Sequence, residues 1–242
     1  MKDVLLEVIK NEKLSKNIYE MTFKGDVNVI NYPDEFINIK LPDFYLRRPF
    51  SVADFTKDTL TIIYKVLGAG TKEMSEIKVG TKLQVLVGLG NGFRDLSLKP
   101  LIVAGGIGVA PFVKLVKEFN AKNIKPTMIY GEQAKANFVY LDFFKENTNL
   151  YLTTDDGSLG FKGNAVAFLK ENKLSFDKYY ACGPTPMLRA LKEYNANGYL
   201  SLEARMGCGF GACMGCSIKT TSGYKRVCKE GPVFLASEVI YE

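Results

Sequence analysis

Leu101-Ile102-Val103-Ala104-Gly105-Gly106-Ile107-Gly108-Val109-Ala110-Pro111 joins four apolar residues to a glycine-rich turn, and a helical pattern follows through Val113, Val116 and Phe119. A short apolar run ending in glycines before a helix is a strand-to-helix turn. Its free N–H groups and the helix N-terminus suit a phosphate. The spacing is not G-x-G-x-x-G, which excludes an ordinary Rossmann fingerprint. A plain β–α turn remains the alternative on this stretch alone. Downstream, apolar runs at Thr127–Tyr130, Leu150–Thr153 and Tyr179–Cys182 alternate with helical patterns at Val139–Lys145, Asn164–Glu171 and Thr185–Tyr194. That rhythm predicts a parallel sheet with right-handed crossovers. Tyr180-Ala181-Cys182-Gly183-Pro184-Thr185-Pro186-Met187 is a second strand-to-helix turn, at a strand end where open α/β sheets bind ligands. A small buried hydrophobe is the other reading of Cys182.

Upstream the periodicity changes from helical to alternating. Ile37, Ile39 and Leu41 alternate with Asn38 and Lys40, which predicts a half-buried strand over Glu35–Pro42. Leu60–Val66 is rich in β-branched and aromatic residues, and Leu83, Val85 and Val87 alternate with polar neighbours. Turn signals at Tyr32-Pro33-Asp34, Gly68-Ala69-Gly70 and Gly90-Asn91-Gly92 separate these runs. Short strands at this spacing predict an antiparallel barrel ending near residues 95–100. Arg47-Arg48-Pro49-Phe50-Ser51 enters one of its strands. Arg48 offers a fixed fork to a diphosphate, Ser51 a hydroxyl to a flavin ring edge, and Pro49 stiffens the turn. An Arg–Pro turn on a surface loop is the plain alternative.

The last forty residues carry four of the five cysteines. Cys208, Cys213, Cys216 and Cys228 are spaced C-x4-C-x2-C-x11-C, and the first three match the plant-type [2Fe–2S] run. Gly207, Gly209, Gly211 and Gly215 interleave with them and let the chain pass close to a cluster. A zinc site of four cysteines is the alternative, but zinc usually takes two tight C-x2-C knuckles and one is present. Two short strands, Ser217–Thr220 and Tyr224–Val227, follow around a Ser222-Gly223 turn.

Composition narrows the chemistry. There is no His, which excludes His-based triads, Rieske ligation and zinc held by paired Cys and His. The net charge of +6 is scattered rather than clustered, so no nucleic-acid groove is expected. No apolar run reaches the ~18–20 residues of a membrane span, and the N-terminus does not read as a secretory signal. A cytoplasmic chain is expected, where clustered thiols suggest metal rather than disulfides.

Together, RPFS, AGGIGVAP and ACGPTPML occur in the order that resembles the ferredoxin-reductase superfamily. SLEARMGCGFGACMGC and RVCKEGPVF, with GLGNGF and TTDDGSLGFKG, resemble the electron-transfer subunits of class 1B dihydroorotate dehydrogenases, nearly end to end. The resemblance implies a β plus α/β architecture. An FAD-binding antiparallel barrel would occupy residues 1–97, an NAD-binding parallel-sheet domain 98–200 and a [2Fe–2S] subdomain 201–242. FAD would be held by Arg48, Pro49, Phe50 and Ser51, by Ile63, Tyr64 and Lys65, and by Gly70 and Thr71. NAD(H), as substrate, would lie over Gly105, Gly106, Gly108, Ala110 and Pro111 and near Cys182, Gly183 and Pro184. Cys208, Cys213, Cys216 and Cys228 would ligate the cluster. The partner would be an FMN-bearing catalytic subunit in a heterotetramer of two of each, oxidising dihydroorotate in pyrimidine biosynthesis. No side chain of this chain would be catalytic, because the cofactors carry the chemistry. Gly88 stands where the family usually has Pro, which would loosen the LGNGF loop. Glu132, after the TMIYG run, would repel a 2′-phosphate and favour NAD, with Lys135 nearby working the other way. Another cluster-bearing flavin reductase subunit, of the ferredoxin:NADP or sulfhydrogenase type, and a cluster-based redox sensor are the competing readings.

Overall fold

Alternating burial builds the first half of the chain. The computed structural model describes residues 1–241, and Glu242, the end of the expected 201–242 unit, lies outside them. Six strands close an antiparallel barrel in the order β1-β2-β5-β4-β3-β6. They are β1 (Lys2–Lys13), β2 (Ile18–Lys24), β3 (Phe36–Ile39), β4 (Arg48–Phe55), β5 (Thr59–Lys65) and β6 (Lys82–Leu89), with α1 (Ala69–Glu76) between β5 and β6. In β6, Leu83, Val85 and Val87 point inward, as their alternation predicts. The barrel interior packs Leu6, Val8, Met21, Phe23, Ile37 and Ile39.

One expectation fails here. β3 is not half-buried: all four residues are buried, because its outer face is covered by the C-terminal cysteine segment. Asn38 is 1% exposed, and its amide reaches the Cys208 carbonyl at 3.4 Å. Gly88 stands just before the LGNGF loop, as expected. It sits inside β6 at φ +68, where the register of β3 against β6 slips by one residue in a β-bulge.

The second half is a seven-stranded sheet in the order β10-β9-β8-β7-β11-β12-β15. Its strands are β7 (Pro100–Gly105), β8 (Thr127–Glu132), β9 (Asn149–Thr154), β10 (Phe161–Lys162), β11 (Lys178–Cys182), β12 (Gly198–Ser201) and β15 (Val233–Leu235). All pairs are parallel except β12 with β15. The helices are α2 (Phe112–Ala121), α3 (Leu141–Asn147), α4 (Ala165–Asn172) and α5 (Thr185–Tyr194). The glycine turn does not open α2 directly. A 3-10 turn over Gly106–Val109 intervenes and Pro111 caps the helix. α3 starts at Leu141 rather than Val139, because Tyr140 takes a left-handed φ of 58°. α4 is capped by Asn164, whose side chain accepts from the Ala167 N–H at 2.9 Å.

Phe112, Val116 and Phe119 of α2 and Phe144 of α3 pack on one sheet face with Tyr130 and Tyr180. Leu169 of α4 and Leu188 and Leu191 of α5 pack on the other with Phe234, Cys216 and Cys228. The tail is therefore built into the second core. It adds a hairpin, β13 (Ser217–Thr220) and β14 (Gly223–Arg226), whose turn residues are Thr221 and Ser222 rather than Ser222 and Gly223. It returns through β15 to the edge of the parallel sheet, so the sheet crosses residue 201.

Candidate functional site

The cysteine segment folds around its own backbone. The N–H groups of Ala212 and Cys213 donate to the Cys208 sulfur at 3.3 and 3.5 Å, and the Cys228 N–H donates to the Cys216 sulfur at 3.4 Å. Gly209 and Gly211 take φ of +79° and +95° to aim these donors inward. A Cβ on Gly209 would collide with the Asn38 amide nitrogen, so only glycine lets the segment settle on β3. Arg226 ties down the far side, donating to the Gly211 carbonyl at 2.5 Å and pairing with Glu230. The Arg226 guanidinium holds the Glu230 carboxyl down at about 2.

The four thiols act on one another: Cys213 on Cys208, and both Cys216 and Cys208 on Cys228. Cys216 and Cys228 are buried, and Cys213 is exposed. Burial pushes the Cys208 thiol up, but the N–H groups of Cys213, Phe210 and Ala212 outweigh it and bring the thiol down to about 6. Burial pushes Cys228 up to about 12, and its contact with Cys216 adds to this. None of the four is in a disulfide. Among the described residues, no three His, Cys, Asp or Glu side chains converge on a single-ion site. Four thiols in one segment, with backbone N–H groups aimed at the Cys208 and Cys216 sulfurs, fit an all-thiolate iron–sulfur cluster.

Two clefts lie between the barrel and the carboxyl ends of the parallel strands. The first encloses about 280 Å³. Its barrel wall carries Pro49, Phe50 and Ser51 from β4, Ile63, Tyr64 and Lys65 from β5, and Thr71 from α1. Its other wall carries Gly108, Ala110, Pro111 and Cys182. The Tyr64 phenol is engaged inside the barrel, donating to the Asn11 side-chain oxygen at 3.0 Å. Arg48 and Gly70, expected in this group, do not line the cleft. Arg48 lies with its guanidinium over the Phe44 ring, 4.6 Å from the centroid. A Cβ on Gly70 would stand 2.7 Å from Arg48 Nε, so Gly70 lets the guanidinium reach the first turn of α1.

The second cleft encloses about 460 Å³. Gly105, Gly106 and Gly108 line it with Gly183 and Pro184, as the glycine turn predicts. Ala110, Pro111 and Cys182 face the first cleft instead. The two strand-to-helix turns touch: a Cβ on Gly108 would stand 2.5 Å from the Cys182 carbonyl oxygen. Glu132 lines this cleft at the end of β8, whereas Lys135 does not. Burial pushes the Glu132 carboxyl up to about 7, although the Tyr130 hydroxyl donates to it at 3.3 Å. Lys65, Leu67, Ile107, Gly108 and Glu203 line both clefts, so the clefts meet.

Sequence reasoning missed Glu203, Leu67, Gln133, Thr153 and Asp155 as lining residues. Glu203 follows β12, four residues with no alternation to announce them. The clefts can seat two ligands that meet at one junction, with the Lys65 ammonium and the Glu203 carboxyl at the shared wall.

A closed antiparallel barrel against a parallel sheet, with adjoining clefts at the strand ends, defines a ferredoxin-reductase-like protein. One solved structure, of an NADH-dependent reduced ferredoxin-NADP oxidoreductase, matches with a TM-score of 0.87 at 28% identity, over 98% of this chain and 90% of that one. The structure of phthalate dioxygenase reductase shares the fold, at a TM-score of 0.67 and 14% identity over 91% of this chain and 87% of that one. Residues 203–240 match the family model for the iron-sulfur cluster binding domain of dihydroorotate dehydrogenase B. The dihydroorotate dehydrogenase B (NAD(+)) electron transfer subunits of Fusobacterium nucleatum and Bacillus pumilus are 43% and 40% identical to this chain. The first alignment covers 97% of both chains, the second 99% of this chain and 98% of the relative. The chain belongs to the family of dihydroorotate dehydrogenase B (NAD+) electron transfer subunits.

Proposed function

We propose that the chain carries electrons between the FMN of a catalytic subunit and NAD, by way of a [2Fe–2S] cluster and FAD, in NAD-dependent oxidation of dihydroorotate for pyrimidine synthesis. It is an oxidoreductase subunit and works with a catalytic partner. The finer assembly is a heterotetramer of two of each subunit, in the cytoplasm. Among the described residues, no helix is long and apolar enough to cross a membrane. The working division is a flavin barrel over 1–97, a nucleotide domain over 98–200 and a cluster subdomain over 201–242.

The observation that carries this reading is the junction of the two clefts, where Gly108 and Glu203 line both. When bound, FAD supplies exchange between two-electron nicotinamide chemistry and a one-electron cluster. The residues bind and orient. Pro49, Phe50, Ser51, Ile63, Tyr64 and Lys65 seat the flavin. Arg48 lies beside Gly70 and Thr71 at the start of α1, and the N–H groups there and the guanidinium form a cradle for its diphosphate. Gly105, Gly106, Gly183 and Pro184 seat the nicotinamide nucleotide, and Ala110, Pro111 and Cys182 close the wall between it and the flavin. Cys208, Cys213, Cys216 and Cys228 hold the cluster, and the N–H groups around Cys208 stabilise negative charge on it. Tight seating at the junction excludes water from the transfer path.

The test is reconstitution. The purified chain is expected to carry one FAD and two irons, and to couple dihydroorotate oxidation to NAD⁺ reduction only when the catalytic subunit is added. A chain that binds FAD and iron but never couples the two with that subunit argues for the ferredoxin:NADP type of reductase instead.

A further inference from the structure

Asp34 is a buried acid with no partner. It lies in the turn before β3, fully buried, and neither carboxyl oxygen completes a hydrogen bond among the described residues. It takes a left-handed φ of 70°, uncommon for a residue with a side chain. Its neighbours hold it there. The Pro33 carbonyl accepts from the Phe93 N–H at 2.8 Å, and the Glu35 carbonyl accepts from the Val52 N–H at 2.9 Å. Strain kept in place by its surroundings points to function rather than accident.

The turn that carries Asp34 leads into the first cleft: Phe36, two residues on, and Ser51, its partner across β3 and β4, both line it. The groups that act on it are the hydroxyls of Ser51 on β4 and Ser201 on β12, and the Glu203 carboxyl; it acts in turn on the Cys182 thiol of β11. None of them carries a positive charge. Ser51, Cys182 and Glu203 all line the cleft. An ionised carboxylate buried without a cation is strongly disfavoured, and two hydroxyls offset only part of that cost, so burial favours the neutral acid. Burial accordingly pushes Asp34 up to about 7, with Ser201 and Ser51 opposing, and pushes Glu203 up as well. A neutral carboxyl has one O–H to donate and an ionised one has none.

We propose that Asp34 is a positioning residue for the flavin: as a neutral acid it donates its O–H to the Ser51 hydroxyl, which leaves the Ser51 O–H free to point at the flavin ring edge, and on ionisation it accepts from Ser51 and withdraws that donor. The inference rests on the flavin reading of the first cleft. Ionised, Asp34 also places a negative charge behind the ring, so both effects disfavour added electrons on the flavin. The protein thereby lowers its flavin potential as the pH rises through the Asp34 titration.

The experiment measures the midpoint potential of the bound flavin against pH in the FAD-loaded protein, for wild type, Asp34→Asn and Asp34→Gly. Glycine keeps the left-handed backbone without strain and removes the carboxyl. At acid pH wild type and Asp34→Asn are expected to coincide, because both are neutral. Above about pH 7 the variant is expected at a more positive potential, by a gap that opens with pH. Adding Ser51→Ala is expected to shrink that gap. Superimposed curves, or an offset constant with pH, overturn the proposal. A gap undiminished by Ser51→Ala overturns the route through Ser51, and folded variants that hold no FAD overturn the tuning role. Should both variants fail to fold, infrared difference spectra of wild type decide, since reduction must then perturb a protonated carboxyl band and its absence overturns the proposal. The same measurement on Glu203→Gln assigns the band: one that vanishes in that variant belongs to Glu203 and overturns the assignment, and one that persists belongs to Asp34. A wild-type protein that takes up no FAD refutes the flavin reading itself, whatever Asp34 does.

Discussion

Gly88 shows how much one backbone angle can carry. At φ +68 in the β3–β6 bulge, any side chain meets the left-handed penalty of about 1–2 kcal/mol. A Cβ there would also stand 2.8 Å from Val29 Cγ2. Proline, fixed near φ −65°, cannot adopt this angle at all. Gly88→Ala is therefore expected to lower stability by about 2 kcal/mol in denaturant unfolding, and Gly88→Pro by more. A Gly88→Pro protein as stable as wild type would show that the bulge is dispensable. Arg48 is the second residue of consequence. In the proposed cradle it makes a charge-assisted contact to the diphosphate, worth roughly 1.5–3 kcal/mol, so Arg48→Ala is expected to bind FAD about ten- to hundredfold more weakly by equilibrium titration. Unchanged affinity would leave Arg48 as a structural residue beside Phe44. Asp34 adds a pH signature to folding. Its folded-state value of about 7 lies above the unfolded 3.8, so its stabilising effect is full below the unfolded value and is lost as pH rises through the folded one. Asp34→Asn is expected to match wild type in stability at acid pH and exceed it at alkaline pH, in urea melts run at each. An advantage present at all pH values would reflect packing and not titration.

At the scale of elements, legibility followed how plainly burial was written into the residues. α5 and β13 fall where the pattern places them, α5 because Leu188 and Leu191 turn one clear face to the core and β13 because a turn follows it directly. β1 was hidden. Only Leu6 and Val8 are fully buried in it, while Leu5 and Ile9 occupy outward positions at 62% and 39% exposure, so the run reads as apolar rather than alternating. β3 misled in the opposite sense, since Asn38 marks a covered face and not a wet one. β12 and β15 are too short to show a period, and with them went the site residues at their ends, Ser201 and Glu203. Motif glycines were legible because close approach needs them wherever the partner strand lies. The long-range neighbour of Asp34 was not, since Ser201 is brought to it by the fold alone. β8 carries the nucleotide prediction. Its terminal Glu132 lines the second cleft while Lys135 does not, so a 2′-phosphate approaches a carboxyl without a compensating cation from that lysine. NADH is expected to exceed NADPH in kcat/KM with an artificial acceptor, and Glu132→Gln to narrow the ratio about tenfold. Because burial raises this carboxyl to about 7, the discrimination is expected to grow as pH rises through that value. A ratio flat with pH, or equal use of both nucleotides, would remove Glu132 from the specificity role.

Across the whole molecule, the tail joins the parts that the cofactors must connect. Asn91, just beyond β6, donates its N–H to the Gly231 carbonyl at 2.6 Å and its amide to the Lys229 and Glu230 carbonyls at 3.2 and 3.1 Å. β15 pairs with β12 in the nucleotide sheet, and the cysteine segment covers β3 of the barrel. The cysteine segment thus sits on the barrel side, and none of its four cysteines lines the second cleft. Phe210 and Met214 beside it are 42% and 52% exposed, which leaves the cluster segment open to a partner. Electrons from the nicotinamide side meet the flavin before the cluster. Cys216 is the place to cut this path, since it is buried and paired with Cys228, and losing it leaves one metal short of a thiolate. Cys216→Ser is expected to keep FAD and NADH-driven reduction of an acceptor that draws directly on the flavin, at the wild-type rate within about twofold. NAD-linked dihydroorotate oxidation in the assembled complex is expected to fall at least tenfold, since losing even the supports of a metal ligand costs about 10–100-fold. Because ligation also organises a metal-binding segment, assembly is checked by gel filtration in the same preparation. A variant that assembles, lacks iron and still couples dihydroorotate to NAD⁺ at the wild-type rate would show that electrons reach the flavin without the cluster. A variant that loses NADH-driven flavin reduction as well would place the tail, through its hold on β12 and Asn91, in shaping the clefts themselves.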